Sequence, residues 1–121
     1  MKKVLLVVDD SEMARNFHSN ILQVHGFKVI TAIDGVDALE KLYQESHVCM
    51  VLTDINMPNM DGYSLIQRIR EDEIFEDLPI IIISTEDEAK DKQRGFDVGA
   101  NVYIVKPTDP DELVENIQLL S

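Results

Sequence analysis

Acidic side chains directly follow two short apolar runs of the sequence. The run 48–52 leads through a threonine to Asp54, and the run 4–8 ends in Asp9 and Asp10. Runs of this length, bounded by turn signals, are typical of strands that are buried on both faces, as in a parallel sheet. Asp54 alone would be equally well explained as a turn or capping residue. The second run of the same form favours a site, because ligands bind beyond the carboxyl ends of such strands.

Two further apolar runs end in residues that complement these acids. The run 80–83 leads to Ser84 and Thr85, and the run 102–105 leads to Lys106 and a proline. If the four strands are parallel, their polar ends lie at one edge of the sheet. The set expected there is three carboxylates, a hydroxyl group and one ammonium group.

A set of this composition has a specific chemistry. Neighbouring carboxylates repel one another, so some would protonate unless a cation lay between them. Mg²⁺ suits this position, because it binds one or two carboxylates together with water and phosphate oxygens. An aspartate beside such an ion can act as a nucleophile and form an aspartyl phosphate. We therefore predict phosphoryl transfer to Asp54, in which the protein supplies positioning and charge neutralisation.

With these residues in this order and spacing, the chain resembles the receiver domains of bacterial two-component response regulators, in their stand-alone, CheY-like form. The matching elements extend over essentially the whole chain, and together they are very specific. They are the pair Asp9 and Asp10, residues 54–62 (DINMPNMDG), Ser84, the pair Gly99 and Ala100, Tyr103, and the pair Lys106 and Pro107.

The resemblance implies a role for each residue of the acidic set. Asp54 would be the phosphoacceptor. Asp9, Asp10, Asp54 and the backbone carbonyl of Asn56 would hold Mg²⁺, and Lys106 would pair with the phosphoryl oxygens. The phosphoryl donor would be a sensor histidine kinase or a small acyl phosphate.

The resemblance also implies a conformational switch. Ser84 would hydrogen-bond the phosphoryl group, and Tyr103 would then move inward. Ser84 and Thr85 are both candidate switch hydroxyls, and family spacing counted back from Lys106 and Tyr103 selects Ser84. Thr85 then occupies a position where the family usually has Ala or Gly, from which it can crowd the phosphoryl path. Thr108 replaces the aromatic residue that commonly follows the Lys-Pro pair, whose peptide bond is expected to be cis.

Five strand patterns alternate with five helix patterns, which predicts an α/β fold. The resemblance implies one doubly wound, flavodoxin-like domain over residues 1–121, with a parallel sheet of order 2-1-3-4-5. The predicted strands are 4–8, 28–32, 48–52, 80–83 and 102–105. The predicted helices begin at Ser11, Asp34, Asp61, Glu88 and Asp109, and the first, second, fourth and fifth end near His25, Ser46, Val98 and Leu120.

The buried face of the first helix is read from its apolar spacing. Met13, Phe17 and Ile21 recur every four residues, and with Ala14, Leu22 and Val24, which widen the stripe, they are predicted to face the core. The histidines are scattered over helix and loop positions, so they are interpreted as surface residues rather than as a metal or phosphotransfer set. They are His18, His25 and His47.

The helix pattern at 88–98 has the weakest apolar stripe, with Ala89, Phe96 and Val98 as its candidates. Its large polar face is either simply solvated or a surface that binds a partner. We expect the signal to pass through this helix, Tyr103 and the last helix. The predicted function is a phosphorylation-dependent switch that controls a partner, in chemotaxis, without turnover of small molecules.

Alternative functions remain open from the sequence. A phosphorelay intermediate that passes its phosphoryl group to a histidine phosphotransfer protein fits as well as a chemotaxis protein. A Mg²⁺-dependent phosphohydrolase of the haloacid-dehalogenase type typically needs a second Asp where this chain has Asn56. A flavodoxin-like carrier would share the fold, but the chain lacks Trp and lacks a Ser/Thr/Gly-rich loop after its first strand.

The composition restricts location and partners. The net charge of −12 over 121 residues argues against unaided binding to nucleic acid or to an anionic membrane. No segment approaches the roughly 20 apolar residues of a membrane span. The single cysteine, Cys49, is interpreted as a core residue, which suits a reducing cytoplasm. We expect a cytoplasmic monomer that meets a sensor histidine kinase and either a downstream target protein or a histidine phosphotransfer protein.

Overall fold

The computed structural model describes residues 2–45 and 47–121, in which strands and helices alternate. The strands are β1 (Val4–Val8), β2 (Lys28–Ala32), β3 (Val48–Thr53), β4 (Ile80–Ser84) and β5 (Val102–Val105). The helices are α1 (Glu12–Val24), α2 (Gly35–Gln44), α3 (Gly62–Glu71), α4 (Ala89–Val98) and α5 (Pro110–Leu120), with a 3-10 turn at Glu73–Phe75. These elements lie where their patterns predict them. The predicted end of the second helix near Ser46 falls outside the described residues.

The strands form one parallel sheet in the order β2-β1-β3-β4-β5, which confirms the predicted order. The register places Val8 beside both Ala32 and Thr53, and it places Ser84 beside Val105. The carboxyl ends of β1, β3, β4 and β5 therefore lie together at one edge. The most polar strand, β2, lies at the side of the sheet, as its composition predicts.

The sheet separates two apolar cores, because alternate residues of a buried strand point to opposite faces. Leu6 and Ile82 pack with Leu65 of α3 in one core, to which α2 also contributes. Leu5 and Ile81 lie in the other core, with side chains of α1 and α5. Each fully buried Leu or Ile is worth about 1.5–3 kcal/mol relative to an exposed one. This double layer fixes the strand ends and hence the residues that follow them.

Helix caps hold the loops at this edge. Ser11, Asp34, Asp61 and Asp109 begin α1, α2, α3 and α5, and each side chain accepts a backbone N–H from the first turn. Such caps typically contribute about 1 kcal/mol. Within the described residues, the side chain of Glu88 makes no such bond at the start of α4. The predicted caps at Ser11, Asp34, Asp61 and Asp109 are thus present, and α4 begins with the weakest local support.

The predicted buried face of α1 is correct at Leu22 and in part at Ile21, but it is wrong at Met13, Phe17 and Val24. Met13 is 83% exposed and Phe17 is 46% exposed, whereas His18, Ser19 and Leu22 are buried. The interpretation of His18 as a surface residue is therefore also wrong, since only 4% of it is exposed. Apolar spacing misplaced this face because polar residues occupy the buried side.

The contact of α4 with the sheet also differs from its prediction. Ala89 and Phe96 are exposed, Val98 is partly buried against the core as predicted, and Gly95 is the buried residue of the helix. A Cβ atom at Gly95 would lie 2.7 Å from Cδ1 of Ile82 and 3.2 Å from Cδ2 of Tyr103. Gly95 therefore lets the helix approach β4 and β5 closely, which a hydrophobicity pattern does not detect.

Two expectations drawn from composition concern membranes and the cysteine. None of the helices in the described part of the chain is both long and apolar enough to cross a membrane. Cys49 is half-buried against the second core, where its thiol donates to the Val4 carbonyl at 3.2 Å. Cys49 is thus a packing residue, as interpreted from its strand position.

Candidate functional site

Three carboxylates converge beyond the carboxyl ends of β1 and β3. Asp9, Asp10 and Asp54 each offer an oxygen, and these oxygens all lie within 4.8 Å of one another. Asp9 is buried, Asp54 is half-buried and Asp10 is exposed. The cluster therefore has a closed inner side and an open side through which a ligand can enter.

Lys106 joins two of these acids from the loop after β5. Its Nζ atom donates to Oδ2 of Asp9 at 2.9 Å and to Oδ2 of Asp54 at 3.1 Å. The side chains are 18% exposed for Lys106, 4% for Asp9 and 12% for Asp54. Ion pairs this far from water are only weakly screened by salt.

Backbone groups fix the remaining carboxylate oxygens. The Ser11 N–H donates to Oδ1 of Asp9 at 2.9 Å, and the Ile55 N–H donates to Oδ1 of Asp54 at 2.7 Å. The guanidinium of Arg15 in α1 also donates to the Asp9 carbonyl at 2.7 Å. The two carboxylates are thus held in one orientation, with Oδ2 of each directed to the same ammonium group.

Burial and charge have opposing effects on this group of residues. Burial raises the pKa of Asp54 above its ordinary value, although the Ile55 N–H and the Lys106 ammonium oppose this. Burial alone would lower the pKa of Lys106. The hydrogen bond to Asp9 and the charge of Asp54 outweigh burial, so the pKa of Lys106 is raised. The lysine therefore stays charged, but its charge does not fully offset the effect of burial on the pKa of Asp54.

The donor set suits a hard divalent cation. The three acids present oxygen atoms only, which is the ligand type that Mg²⁺ prefers. A cation would also offset the burial that raises the pKa of Asp54. Asn56, whose backbone carbonyl was predicted as a further ligand, lies two residues beyond Asp54 in the same loop. Its side-chain amide donates to Oε1 of Glu86 at 3.0 Å, which links this loop to the one after β4.

The two candidate switch hydroxyls lie in different surroundings. Ser84 is completely buried at the end of β4, and its carbonyl accepts the Lys106 N–H at 2.8 Å. Its Oγ accepts the Glu86 N–H at 3.1 Å. Thr85 is exposed and lines the pocket beside Lys106. Ser84 is therefore attached directly to the backbone that carries the lysine.

Tyr103 is linked to the same loop. The ring is half-buried, and its hydroxyl donates to the Glu86 carbonyl at 2.7 Å. Burial raises the pKa of Tyr103 to about 12. The Tyr103 side chain is thus tied to the loop that follows β4.

Sequence reasoning missed three residues that organise the site. Glu86 accepts a bond from Asn56 through its side chain and one from Tyr103 of β5 through its backbone carbonyl, and the backbone contact leaves no signal in its side-chain type. His18, on α1, is joined to Thr108, and the departure at Thr108 was the only hint of that pair. Gly62 was recognised only as part of a motif, and a Cβ there would collide with the Asp54 carbonyl oxygen. Its N–H donates to the Ile55 carbonyl at 2.7 Å, so α3 begins directly against the Asp54 loop.

Pro107 lies beside Lys106 at this edge of the sheet, whereas Gly99 and Ala100 precede β5 at the opposite edge. The Lys106–Pro107 peptide bond is cis, as expected. A pocket of about 410 Å³ adjoins the lysine, and its walls come from α1, the loop after β4 and the loop after β5.

A doubly wound parallel sheet with an acidic cluster and a lysine beyond its carboxyl edge defines a flavodoxin-like α/β domain with a candidate cation site. The chain belongs to the response regulator receiver domain family, whose model matches residues 5–118. Members of this family act in two-component signalling, where they take phosphoryl groups from histidine kinases and act on downstream targets. They generally bind Mg²⁺ at an acidic pocket.

Relatives include both short and long proteins. The chain is 39% identical over 117 residues to the chemotaxis protein CheY1 of Helicobacter pylori, which covers 96% of this chain and 94% of the relative. It is 38% identical over 119 residues to the probable transcriptional regulator ycf27 of Cyanophora paradoxa, which covers 98% of this chain. The chain spans 48% of the length of that regulator.

Solved structures agree with this assignment. The chemotaxis protein CheY4 of Vibrio cholerae superimposes with a TM-score of 0.93 at 35% sequence identity, and the match covers 100% of both chains. The fold is therefore that of receiver domains.

Proposed function

We propose that the chain is a phosphorylation-dependent signalling switch that accepts a phosphoryl group on Asp54. The donor is a sensor histidine kinase or a small acyl phosphate. The observation that carries the proposal is the Lys106 ammonium group held at 2.9 Å from Asp9 and 3.1 Å from Asp54, inside a cluster of three acids. Family membership supports the same chemistry.

The contacts of these residues support the role proposed for each. The Ile55 N–H holds one Asp54 oxygen, so the carboxylate directs the other toward Lys106. When an Asp54 oxygen bonds to phosphorus, the bond from phosphorus to the donor breaks and the donor leaves with its electron pair. Lys106 then pairs with the phosphoryl oxygens. Bound Mg²⁺, held by Asp9, Asp10, Asp54 and the Asn56 carbonyl, would neutralise charge on the transferred group.

The direct test is incubation of the purified protein with acetyl phosphate and Mg²⁺, followed by intact-mass measurement. We expect one phosphoryl group per chain, because one carboxylate is positioned to attack. A protein that remains unmodified both with acetyl phosphate and with phosphorylated histidine kinases would contradict the proposal. Sustained release of product from a small phosphate ester would instead favour a phosphohydrolase.

Asp10→Asn should weaken Mg²⁺ binding by at least about tenfold, because loss even of a supporting residue around a metal typically costs 10–100-fold. The measurement is a Mg²⁺ titration followed by NMR. Glu12→Gln is a suitable control, since Glu12 is also exposed and acidic but lies in the first turn of α1. Equal Mg²⁺ affinity of the two variants would remove Asp10 from the proposed ligand set.

We further propose that output passes through the surface formed by α4, β5 and α5. Among the residues of α4 only Gly95 is buried, so this helix is held to the sheet by few side chains. The Glu86 backbone joins Ser84 to Tyr103 through two hydrogen bonds of 3.1 and 2.7 Å. A phosphoryl group that engages Ser84 would compete for this hydroxyl and alter the loop that leads into α4.

Ser84→Ala should still accept a phosphoryl group on Asp54 but respond less to it. A charge-assisted hydrogen bond is worth about 1.5–3 kcal/mol. We therefore expect phosphorylation to shift the equilibrium toward the activated conformation by a factor that is at least roughly tenfold smaller than in the wild type. The measurement is the NMR shift change in α4 and β5 on adding beryllofluoride. Thr85→Ala is the matched comparison. An unchanged response in Ser84→Ala with a reduced one in Thr85→Ala would transfer the role to Thr85.

The pathway is proposed from the relatives. A chemotaxis protein matches over nearly its whole length, which supports a role in chemotaxis for the receiver domain over residues 1–121. In this role the chain would act as a cytoplasmic monomer that binds a target protein, without direct contact to nucleic acid. Transfer of the phosphoryl group to a histidine phosphotransfer protein would identify a phosphorelay intermediate instead.

A further inference from the structure

The side chain of His18 lies between α1 and the segment after β5, with 4% of its surface exposed. Its Nδ1 is 2.8 Å from the Ala14 carbonyl oxygen, and its Nε2 is 2.9 Å from the Thr108 hydroxyl oxygen. A carbonyl oxygen only accepts, so the hydrogen of the neutral ring lies on Nδ1. The Thr108 hydroxyl therefore donates to Nε2.

The surroundings of His18 favour this neutral ring. Burial lowers the pKa of His18, although the bond to Ala14 opposes it. The positive charge of Lys106 acts in the same direction as burial, and the charges of Asp9 and Asp54 act against it. The ring therefore accepts from Thr108 at neutral pH rather than donating to it.

The bond completes a closed set of contacts around the acidic cluster. Lys106 donates to Asp9, and the guanidinium of Arg15 on α1 donates to the Asp9 carbonyl. His18 lies one turn further along α1, and Thr108 lies two residues beyond Lys106. The His18–Thr108 bond thus joins the helix that supports Asp9 to the loop that supports the lysine.

The loop after β5, which carries Lys106 and Thr108, is packed against the protein only on its inner side. Thr108 is buried toward His18, but the pocket of about 410 Å³ adjoins it, with Met13, Phe17 and Pro107 among the other lining residues. Phe17 packs edge-on against the His18 ring, with centroids 5.2 Å apart. Met13 is 83% exposed and Phe17 is 46% exposed, so neither covers the loop from outside. The Lys106 N–H bond to the Ser84 carbonyl holds the start of this loop, and the His18–Thr108 hydrogen bond is the directional contact that holds it two residues further on.

We infer that the His18–Thr108 hydrogen bond positions Lys106 for phosphoryl transfer, which makes His18 and Thr108 positioning residues of the site. This inference rests on the proposed function. Lys106 must lie between two carboxylates and the incoming phosphoryl group, and errors of about 1 Å in such geometry can cost up to roughly a hundredfold in rate.

The test compares Thr108→Val, which removes the hydroxyl at nearly constant shape, with Thr108→Ser, which keeps it. We expect the maximal rate of phosphorylation by acetyl phosphate to fall about tenfold in Thr108→Val and to remain near wild type in Thr108→Ser. Urea unfolding of both variants establishes that the rates refer to folded protein. Equal rates in the two variants, whether both fast or both slow, would overturn the inference.

A second measurement does not depend on phosphorylation. The Lys106 ammonium group makes two hydrogen bonds, so its ¹H–¹⁵N signal should be protected from exchange in wild type and in Thr108→Ser. The signal should be lost in Thr108→Val, and its persistence there would overturn the inference even if the wild type accepted no phosphoryl group. The failure of the proposed function would be seen separately, as the absence of phosphoryl uptake by the wild type.

A double-mutant cycle separates this bond from general effects on packing. His18→Leu keeps an apolar side chain of moderate size and removes both ring nitrogens. If the two residues act through one bond, His18→Leu with Thr108→Val should slow phosphorylation no more than either change alone. Fully additive losses would contradict a shared positioning role.

Discussion

Asp54→Asn should take up no phosphoryl group from acetyl phosphate under conditions in which the wild type is fully modified. The amide is nearly the same size as the carboxylate, but it has no anionic oxygen to attack phosphorus. Asp9 and Asp10 remain in the variant, yet Asp9 is buried and engaged by Lys106 and Ser11. Intact-mass measurement after incubation with Mg²⁺ and acetyl phosphate gives the result directly.

The control for this prediction is Asp77→Asn. Asp77 is exposed in the loop before β4, at the opposite edge of the sheet, so its loss should leave phosphorylation unchanged. Uptake by Asp54→Asn to the wild-type extent would move the phosphoacceptor to another acid and remove the basis of the proposed function.

Asp54→Asn should lose phosphorylation but gain stability in the absence of Mg²⁺. Because burial raises the pKa of Asp54 in the folded protein, the native state binds this proton more tightly than the unfolded chain does. The contribution of Asp54 to the free energy of unfolding therefore falls as the pH rises through the folded pKa. Without Mg²⁺, Asp54→Asn should gain stability relative to wild type between acidic and neutral pH. Urea titrations at several pH values measure this difference.

The sheet and most of the site could be predicted from the sequence. Runs such as Val4–Val8 and Ile80–Ile83 are apolar without alternation, a pattern that few structures other than a strand buried on both faces produce. In a parallel sheet the residues that follow such runs share one edge, so Asp9, Asp54 and Lys106 could be grouped without a structure. The order of the strands came from the family resemblance, because the runs do not contain it.

The remainder depends on contacts that residue type does not reveal. His18 is buried although it is polar, since Ala14 and Thr108 satisfy its ring, and this rotates α1 away from its predicted face. Gly95 contributes to packing by its lack of a side chain. Glu86 joins Ser84 and Tyr103 through backbone atoms, which every residue possesses. Each of these contacts follows from the tertiary arrangement, and none from local pattern.

Lys106→Met should lower the free energy of unfolding by about 3–5 kcal/mol in the absence of Mg²⁺, because removing one partner of a buried ion pair leaves uncompensated charge. Here two mostly buried carboxylates, on Asp9 and Asp54, would lose their shared ammonium group. Methionine retains most of the aliphatic stem, so little packing is lost. Since a small domain has about 5–15 kcal/mol in total, the loss would be large.

The choice of pH and of control makes this prediction specific. The pKa of Lys106 is raised from its ordinary 10.5, so its contribution is fully present below that value and is lost only at higher pH. Urea unfolding at neutral pH with a chelator therefore measures the whole effect. Lys92→Met is the control, because Lys92 pairs with Asp87 at 3.0 Å with side chains 41% and 69% exposed. Such surface pairs are worth at most about 1 kcal/mol.

Mg²⁺ should restore much of the stability of Lys106→Met. A divalent cation bound among Asp9, Asp10 and Asp54 supplies the positive charge that the lysine provided, and ligand at a hundred times its dissociation constant stabilises the native state by about 2.7 kcal/mol. Phosphorylation of this variant should remain slow even with Mg²⁺, because no Lys106 ammonium group is present to pair with the phosphoryl oxygens. The prediction would be wrong if Lys106→Met lost no more free energy of unfolding than Lys92→Met in chelator and gained none from Mg²⁺. In that case neither the Lys106 ammonium group nor Mg²⁺ would stabilise the acidic cluster. The ion pair would then have no part in holding Asp54 ready for attack.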